Sequence, residues 1–308
     1  MNNLLIVGSV AFDAIETPFG KTDKILGGAG TYIGLSAANF DIKSNIISVV
    51  GGDFPEEHFK LLQNHGVDTS GIEIIKDEKT FFWAGKYRND MNTRDTLATE
   101  LNVLEKFAPK VSDSYQNADV LMLGNLAPTV QSSVIDQMKV RPKLIVMDTM
   151  NFWMDVMLPE LKHTISKVDV LVINDEEARQ LSGEYSLVAA AQIILEMGPK
   201  YLIIKKGEHG ALLFDKNNTF FAPALPLKEV FDPTGAGDTF AGGFCGYLTC
   251  TNDFSFENMK NGIIAGSALA SFTVEKFGTE RIENLDKEEF KGRIQTFIDL
   301  VAFNYPTK

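Results

Sequence analysis

Short apolar runs alternate along this chain with longer stretches of helical spacing. Residues 4–10 are the first such run and carry Gly8-Ser9 near their end. Residues 46–50 are the second, closed by Gly51-Gly52-Asp53, and 120–123, 144–147, 170–173 and 201–205 are four more. Runs of this length bounded by turn residues read as buried strands. Between them, 30–40 is a small-residue helix, and 130–138, 154–164, 175–181 and 187–197 carry helical patterns. Steady alternation of strand and helix predicts an α/β fold with a mostly parallel sheet covered on both faces. Beyond Phe240 the pattern turns helical, over 239–248, 255–274 and 287–304.

Two stretches break the alternation. Residues 11–26 and 79–97 alternate polar and apolar positions with turns between, including Phe81-Phe82-Trp83-Ala84-Gly85-Lys86-Tyr87. They read either as a small extra sheet that forms a lid over a site or as ordinary surface hairpins.

Open α/β sheets bind ligands beyond the carboxyl ends of their strands. Polar residues recur there: Asp13, Asp53, Asn125, Asp148, Asn151, Asn174, Glu177, and then Gly207 and Gly210. The densest chemistry lies later, at Phe231-Asp232-Pro233-Thr234-Gly235-Ala236-Gly237-Asp238-Thr239-Phe240. Gly235, Ala236 and Gly237 leave backbone N–H groups uncovered at a helix start, where the dipole favours an anion. A carboxylate next to an anion site is repelled unless it has a task. Deprotonating a hydroxyl that attacks a phosphoryl group is such a task for Asp238; the plain alternative is a glycine-rich turn with an acidic cap. Asn174-Asp175-Glu176-Glu177 opens a helix after a strand. It reads as an ordinary N-cap or, beside Asp238, as an acidic turn that holds Mg²⁺ through water.

Composition narrows the choices. A net charge of −12 argues against a nucleic-acid backbone as partner. Cys245 and Cys250 suggest neither a disulfide framework nor a zinc site. No run reaches the ~18 apolar residues of a membrane span, and the N-terminus lacks the flanks of a signal peptide, so a soluble cytoplasmic protein is expected. Gly20-Lys21-Thr22 is not a P-loop, because Ile15 stands where that motif needs glycine. Gly28, Gly30 and Gly34 are spaced one residue too far apart for a dinucleotide fingerprint. The four histidines have no ligand spacing.

The segment Asp232–Phe240 resembles the C-terminal signature of the ribokinase-like (PfkB) kinases, which phosphorylate a hydroxyl of a sugar or nucleoside with ATP. The resemblance extends to Gly8-to-Asp13, Gly27-Gly28, Gly51-Gly52-Asp53, Asn174 with Glu177, and Lys206-Gly207-Glu208-His209-Gly210. It implies a three-layer α/β/α sandwich with a small β-sheet lid, forming a single domain over 1–308. Asp238 is then the base, and the amides of Gly235, Ala236 and Gly237 hold the transferring phosphoryl group. Asn174 and Glu177 place Mg²⁺ and its water. Lys206, Gly207, Gly210 and Asn261 belong to the ATP site. Asp13, Gly27, Gly28, Tyr32 and Asn125 belong to the substrate site. Asp232 corresponds to a site for a monovalent cation such as K⁺, and the lid corresponds to a surface for homodimer formation. Where many sugar kinases of the family carry Lys and Asn after the glycine pair, this chain has Ala29 and Tyr32. That exchange, with Phe12 beside Asp13, favours a flat nucleobase over a bare pentose. Two other readings stay open: a kinase of a phosphorylated sugar using Lys86, Arg88 and Arg94, and a non-catalytic sugar- or nucleoside-binding regulator.

Overall fold

The first strand, Asn3–Val7, shows how the layers are built. Leu4 and Ile6 pack into one hydrophobic core, and Leu5 and Val7 into a second on the opposite face. Successive strand side chains point to opposite faces, so a strand apolar at every position must be covered twice. The computed structural model, described here over residues 1–304, places this strand inside a nine-stranded sheet. The order across it is Thr219–Ala222, Ala211–Phe214, Tyr201–Lys205, Val170–Asn174, Leu144–Asp148, Val120–Leu123, Asn3–Val7, Lys43–Gly51 and Val67–Ile75. Neighbours are parallel from Val67–Ile75 across to Tyr201–Lys205. The remaining two strands continue the sheet as an antiparallel hairpin.

One face is covered by Ala29–Ala37, Glu56–Asn64, Ala236–Thr251 and Phe256–Thr273, through residues such as Ile33, Leu62, Phe244 and Ile263. The other is covered by Pro128–Gln137, Leu158–Ile165, Asp175–Ser182 and Leu187–Glu196, through Val134, Leu161, Ala178 and Ile194. The three-layer expectation holds. The helix expected over 154–164 is two, Asn151–Val156 and Leu158–Ile165, with Pro159 in the first turn of the second. Proline lacks the N–H a continuous helix needs there.

Small residues bring three helices together backbone to backbone. A Cβ on Gly242 would lie 2.4 Å from the Ile33 carbonyl oxygen, and one on Gly266 would lie 2.5 Å from that of Phe240. The Ser36 hydroxyl donates to the Thr239 carbonyl at 2.6 Å. This contact pins the start of Ala236–Thr251 against Ala29–Ala37, next to the carboxyl ends of the parallel strands.

The two irregular stretches do form a second sheet. Gly20–Lys21, Ala11–Thr17, Phe82–Tyr87 and Arg94–Glu100 are paired in that order, and Ile25–Gly27 also pairs with Ala11–Thr17. Phe82–Tyr87 is an interior strand of this sheet, so the aromatic run is flanked on both sides; Arg94–Glu100 is the edge strand beside it. No helix among the described residues is long and apolar enough to cross a membrane.

Candidate active site

Helix Ala236–Thr251 begins at a glycine that nothing else could replace. Gly235 has φ +73°, in the left-handed region, and a Cβ there would lie 2.4 Å from Cζ of Tyr32. The Ala236 amide turns back to the Pro233 carbonyl at 3.2 Å. Among the described residues the amides of Gly235, Gly237 and Asp238 have no such acceptor, and they remain available at the positive end of a helix of 16 residues. The turn before them is braced by Asp232, which is fully buried. Its carboxylate accepts from the amides of Thr234 and Gly278, each at 2.8 Å. Burial pushes that carboxyl above its ordinary range, and the two amides oppose the push.

Asp238 stands on the first turn of the helix. Burial, reinforced by Asp148, pushes its carboxyl up to about 7, while Lys205 and Arg94 pull the other way. Asp13, at the root of the lid, is 5% exposed. Burial and then the charges of Asp232 and Asp238 raise it to about 7 as well, against the Gly28 amide. Gly27 lies directly beneath this carboxyl, for a Cβ on it would fall 2.0 Å from Oδ2 of Asp13. Gly28 has φ +91° and packs on the Ser9 carbonyl. Two carboxyls poised near neutrality at the mouth of an anion cradle are the electrostatic pattern of a proton-transfer site.

A second cluster faces the first. Asn174 caps Asp175–Ser182 with a complete capping box: its side chain accepts from the Glu177 amide at 2.8 Å, and Glu177 Oε2 accepts from the Asn174 amide at 2.7 Å. The cap fixes the Glu177 carboxyl on the site side of the strand end. Burial and Asp148 raise its pKa. Lys205, at the end of Tyr201–Lys205, reaches Asp148 Oδ2 at 3.1 Å. Burial pulls the Lys205 ammonium down, but Asp148, Glu177 and Asp238 outweigh it and the net direction is up, so the group stays charged. Its Nζ lies 3.0 Å from where a Cβ of Gly237 would sit. No group of three or more His, Cys, Asp or Glu side chains among the described residues could hold a metal ion. Glu177 and Asp148 offer hard oxygen donors, the chemistry that suits Mg²⁺, an ion that keeps several of its waters.

Other expected residues are placed differently. Tyr32 is 1% exposed and its ring lies under Gly235. Phe12 is 3% exposed and packs 5.5 Å from Phe54, with Lys24 over its ring. Neither ring offers a face to a nucleobase: Tyr32 fills the space beneath the Gly235 turn, and Phe12 is packed between Phe54, His58 and Lys24. Asn125 receives the Trp153 indole N–H at 2.9 Å and donates to the Met150 sulfur at 3.0 Å, so its amide is engaged within the protein. Lys206 lies with its ammonium 5.8 Å above the Phe221 ring, and it is the preceding lysine, Lys205, that enters the carboxylate cluster. Gly207 and Gly210 have φ +54° and +84° and shape the tight turn Gly207–His209. Asn261 is exposed on Phe256–Thr273. In the lid, Lys86 pairs with Glu16 at 2.5 Å and Arg88 with Asp95 at 2.8 Å. His65 is structural, its ring nitrogens bonded to the carbonyls of Leu61 and Glu283.

The lid also touches both ends of the site. Tyr87 is buried, and its hydroxyl accepts from the Thr234 hydroxyl at 3.3 Å. Asn92 Oδ1, in the turn of the lid hairpin, lies 2.9 Å from where a Cβ of Gly207 would be.

A family model for pfkB family carbohydrate kinases matches residues 1–285. The chain belongs to the pfkB family. It is 30% identical over 250 residues to a cytidine kinase of Thermococcus kodakarensis, covering 79% of this chain and 87% of that one. The fold is similar to that of the nucleoside kinase of Methanocaldococcus jannaschii, an archaeal member of the ribokinase family, with TM-score 0.78 and 20% identity, covering 96% and 99% of the two chains. It is also similar to a putative ribokinase II of E. coli solved with ATP and Mg²⁺, with TM-score 0.76 and 20% identity, covering 97% and 100%. The expected family and fold, with its separate small sheet, are those found. Membership makes the chain a phosphotransferase with a hydroxyl acceptor, a sugar or nucleoside kinase.

Proposed function

We propose that this pfkB-family enzyme transfers the γ-phosphoryl group of ATP to a hydroxyl of a nucleoside. The observation that carries the reading is the meeting of Asp238, a carboxyl pushed up to about 7, with the free amides at the start of Ala236–Thr251. Asp238 takes the proton of the attacking hydroxyl, the oxygen bonds to the γ-phosphorus, and ADP leaves with the electrons of the broken P–O bond. The amides of Gly235 and Gly237 stabilise charge on the phosphoryl oxygens. Asp13, over Gly27 and Gly28, accepts hydrogen bonds from substrate hydroxyls. Gly207, Gly210 and Asn261 border the nucleotide base and ribose, and Asp232 supports a monovalent cation beside the cradle. Glu177 and Asp148 would hold Mg²⁺ through its water, and the ion would neutralise phosphate charge.

The nucleoside is preferred over a free sugar because the most similar relative reported above is a cytidine kinase. Ala29 and the buried Tyr32 also remove two polar groups that a bare sugar would use. A non-catalytic regulator would have no use for carboxyls held at the free-energy cost of burial. Magnesium-dependent ADP release over nucleosides, pentoses, hexoses and phosphosugars tests the reading. Cytidine or another nucleoside is expected to give the highest kcat/KM. A preference for ribose or for a phosphosugar by tenfold or more would overturn the nucleoside assignment.

A further inference from the structure

Among the described residues, two buried acidic groups bind lysine or arginine, and they differ in one respect. At the amino ends of the strands, Asp169 is 3% exposed and saturated: Arg141, Lys200 and the amide of Ile145 all reach its carboxylate. At the carboxyl ends, the cation is the group left unsaturated. The Lys205 ammonium has three N–H donors, and among the described residues only Asp148 Oδ2 receives one. Its side chain is 18% exposed, and its charge is felt by Glu177 and by Asp238 on the first turn of Ala236–Thr251. The 3.0 Å approach to the missing Cβ of Gly237 puts the ammonium against the same turn whose amides are free. A cation with unused donors, set beside unused amides, is a built receptor for phosphate oxygens.

We propose that Lys205 is a catalytic residue of the phosphoryl transfer, binding the non-bridging oxygens of the migrating group and neutralising the charge they gain. This rests on the kinase reading above. Asp148 is its positioning residue, fixing the ammonium on the side of Gly237. The step balances without Lys205 exchanging a proton: the hydroxyl proton passes to Asp238, the new P–O bond forms as the bond to the ADP oxygen breaks, and Lys205 stays ammonium throughout.

The test compares wild type, Lys205→Ala and Asp238→Asn by steady-state kinetics, with equilibrium binding of inorganic tripolyphosphate measured separately. Lys205→Ala is expected to lower kcat by roughly 10²–10³-fold, the effect of losing one stabilising donor, with the nucleoside KM within about twofold. Ethylammonium at tens of millimolar should restore part of that kcat in Lys205→Ala and none in Asp238→Asn. Tripolyphosphate affinity should fall about tenfold in Lys205→Ala. A kcat within threefold of wild type, or a loss that no small amine repairs and that leaves tripolyphosphate affinity unchanged, would overturn the proposal. If wild type phosphorylates nothing in the substrate screen, the kinase reading fails. The tripolyphosphate measurement then still decides whether Lys205 is an anion receptor. Removing one partner of a buried pair can unfold a protein. Lys205→Arg keeps the charge but moves it, and should melt like wild type with kcat lowered at least tenfold; wild-type kcat in that variant would count against the assignment.

Discussion

Asp238 and Asp13 share a property that, in the proposed roles, sets the expected pH behaviour of the enzyme. Each is held near 7 by burial first and by neighbouring carboxylates second. A base must be ionised to accept a proton, so activity is lost as pH falls through 7 rather than through 4. The acid limb of kcat/KM, which reports the free enzyme, should therefore centre near pH 7. Its slope should exceed one decade per pH unit, because Asp13 must ionise as well. A limb centred below pH 5 would show that the carboxyls are not so perturbed. Asp13 also makes a stability prediction. Its folded-state value lies above the unfolded one, so the stability it contributes is present at low pH and lost as pH rises through about 7. Asp13→Asn should melt above wild type at pH 8, with the gap shrinking towards pH 5, while the nucleoside KM rises at least tenfold. A lower melting temperature at pH 8 would contradict the burial argument.

Among the elements, the start of Ala236–Thr251 carries most of the proposed chemistry, and its geometry is set by close backbone approach. Gly235→Ala would place a methyl group into the Tyr32 ring at a positive φ, a strain of about 1–3 kcal/mol before any clash. The variant should lose activity by at least 100-fold, and a lower melting temperature should accompany the loss. Near-wild-type values of both would mean that the turn is looser than described. This element was readable in the sequence because glycine spacing and an acidic residue carry strong local meaning. Elements without such marks were harder to read. Glu56–Asn64 buries only Phe59 and Leu62, too few positions to show a helical stripe. Val67–Ile75 is an edge strand with exposed polar residues through its length, so it lacks the apolar run that betrayed the interior strands. Lys205 was missed for a related reason. Sequence favoured Lys206, inside the glycine turn, whereas only packing shows which of two adjacent lysines is directed at Asp148. The aromatic reading of Tyr32 failed on the same point: sequence gives the ring but not the glycine turn that covers it.

On the scale of the whole molecule, the lid and the large sheet meet through few contacts that bear on chemistry. Tyr87 bridges from the lid to Thr234, two residues after the buried Asp232. Tyr87→Phe removes that bond and keeps the ring in its buried place. It should raise the substrate KM by about two- to fivefold and leave the melting temperature nearly unchanged. An unchanged KM would mean that the lid contact plays no part in substrate retention. The charges at the lid rim are mostly paired within the lid, which is why the phosphosugar reading gains no support from Lys86 or Arg88. The central claim is that one carboxylate, placed by a glycine turn at the end of a parallel sheet, is the base for phosphoryl transfer to a nucleoside hydroxyl. Its most direct test is single-turnover transfer of labelled γ-phosphate from ATP to the nucleoside by wild type and by Asp238→Asn, both with ATP bound. The account predicts transfer slowed by at least 10³-fold in Asp238→Asn with ATP affinity and fold preserved; transfer within tenfold of wild type would contradict it.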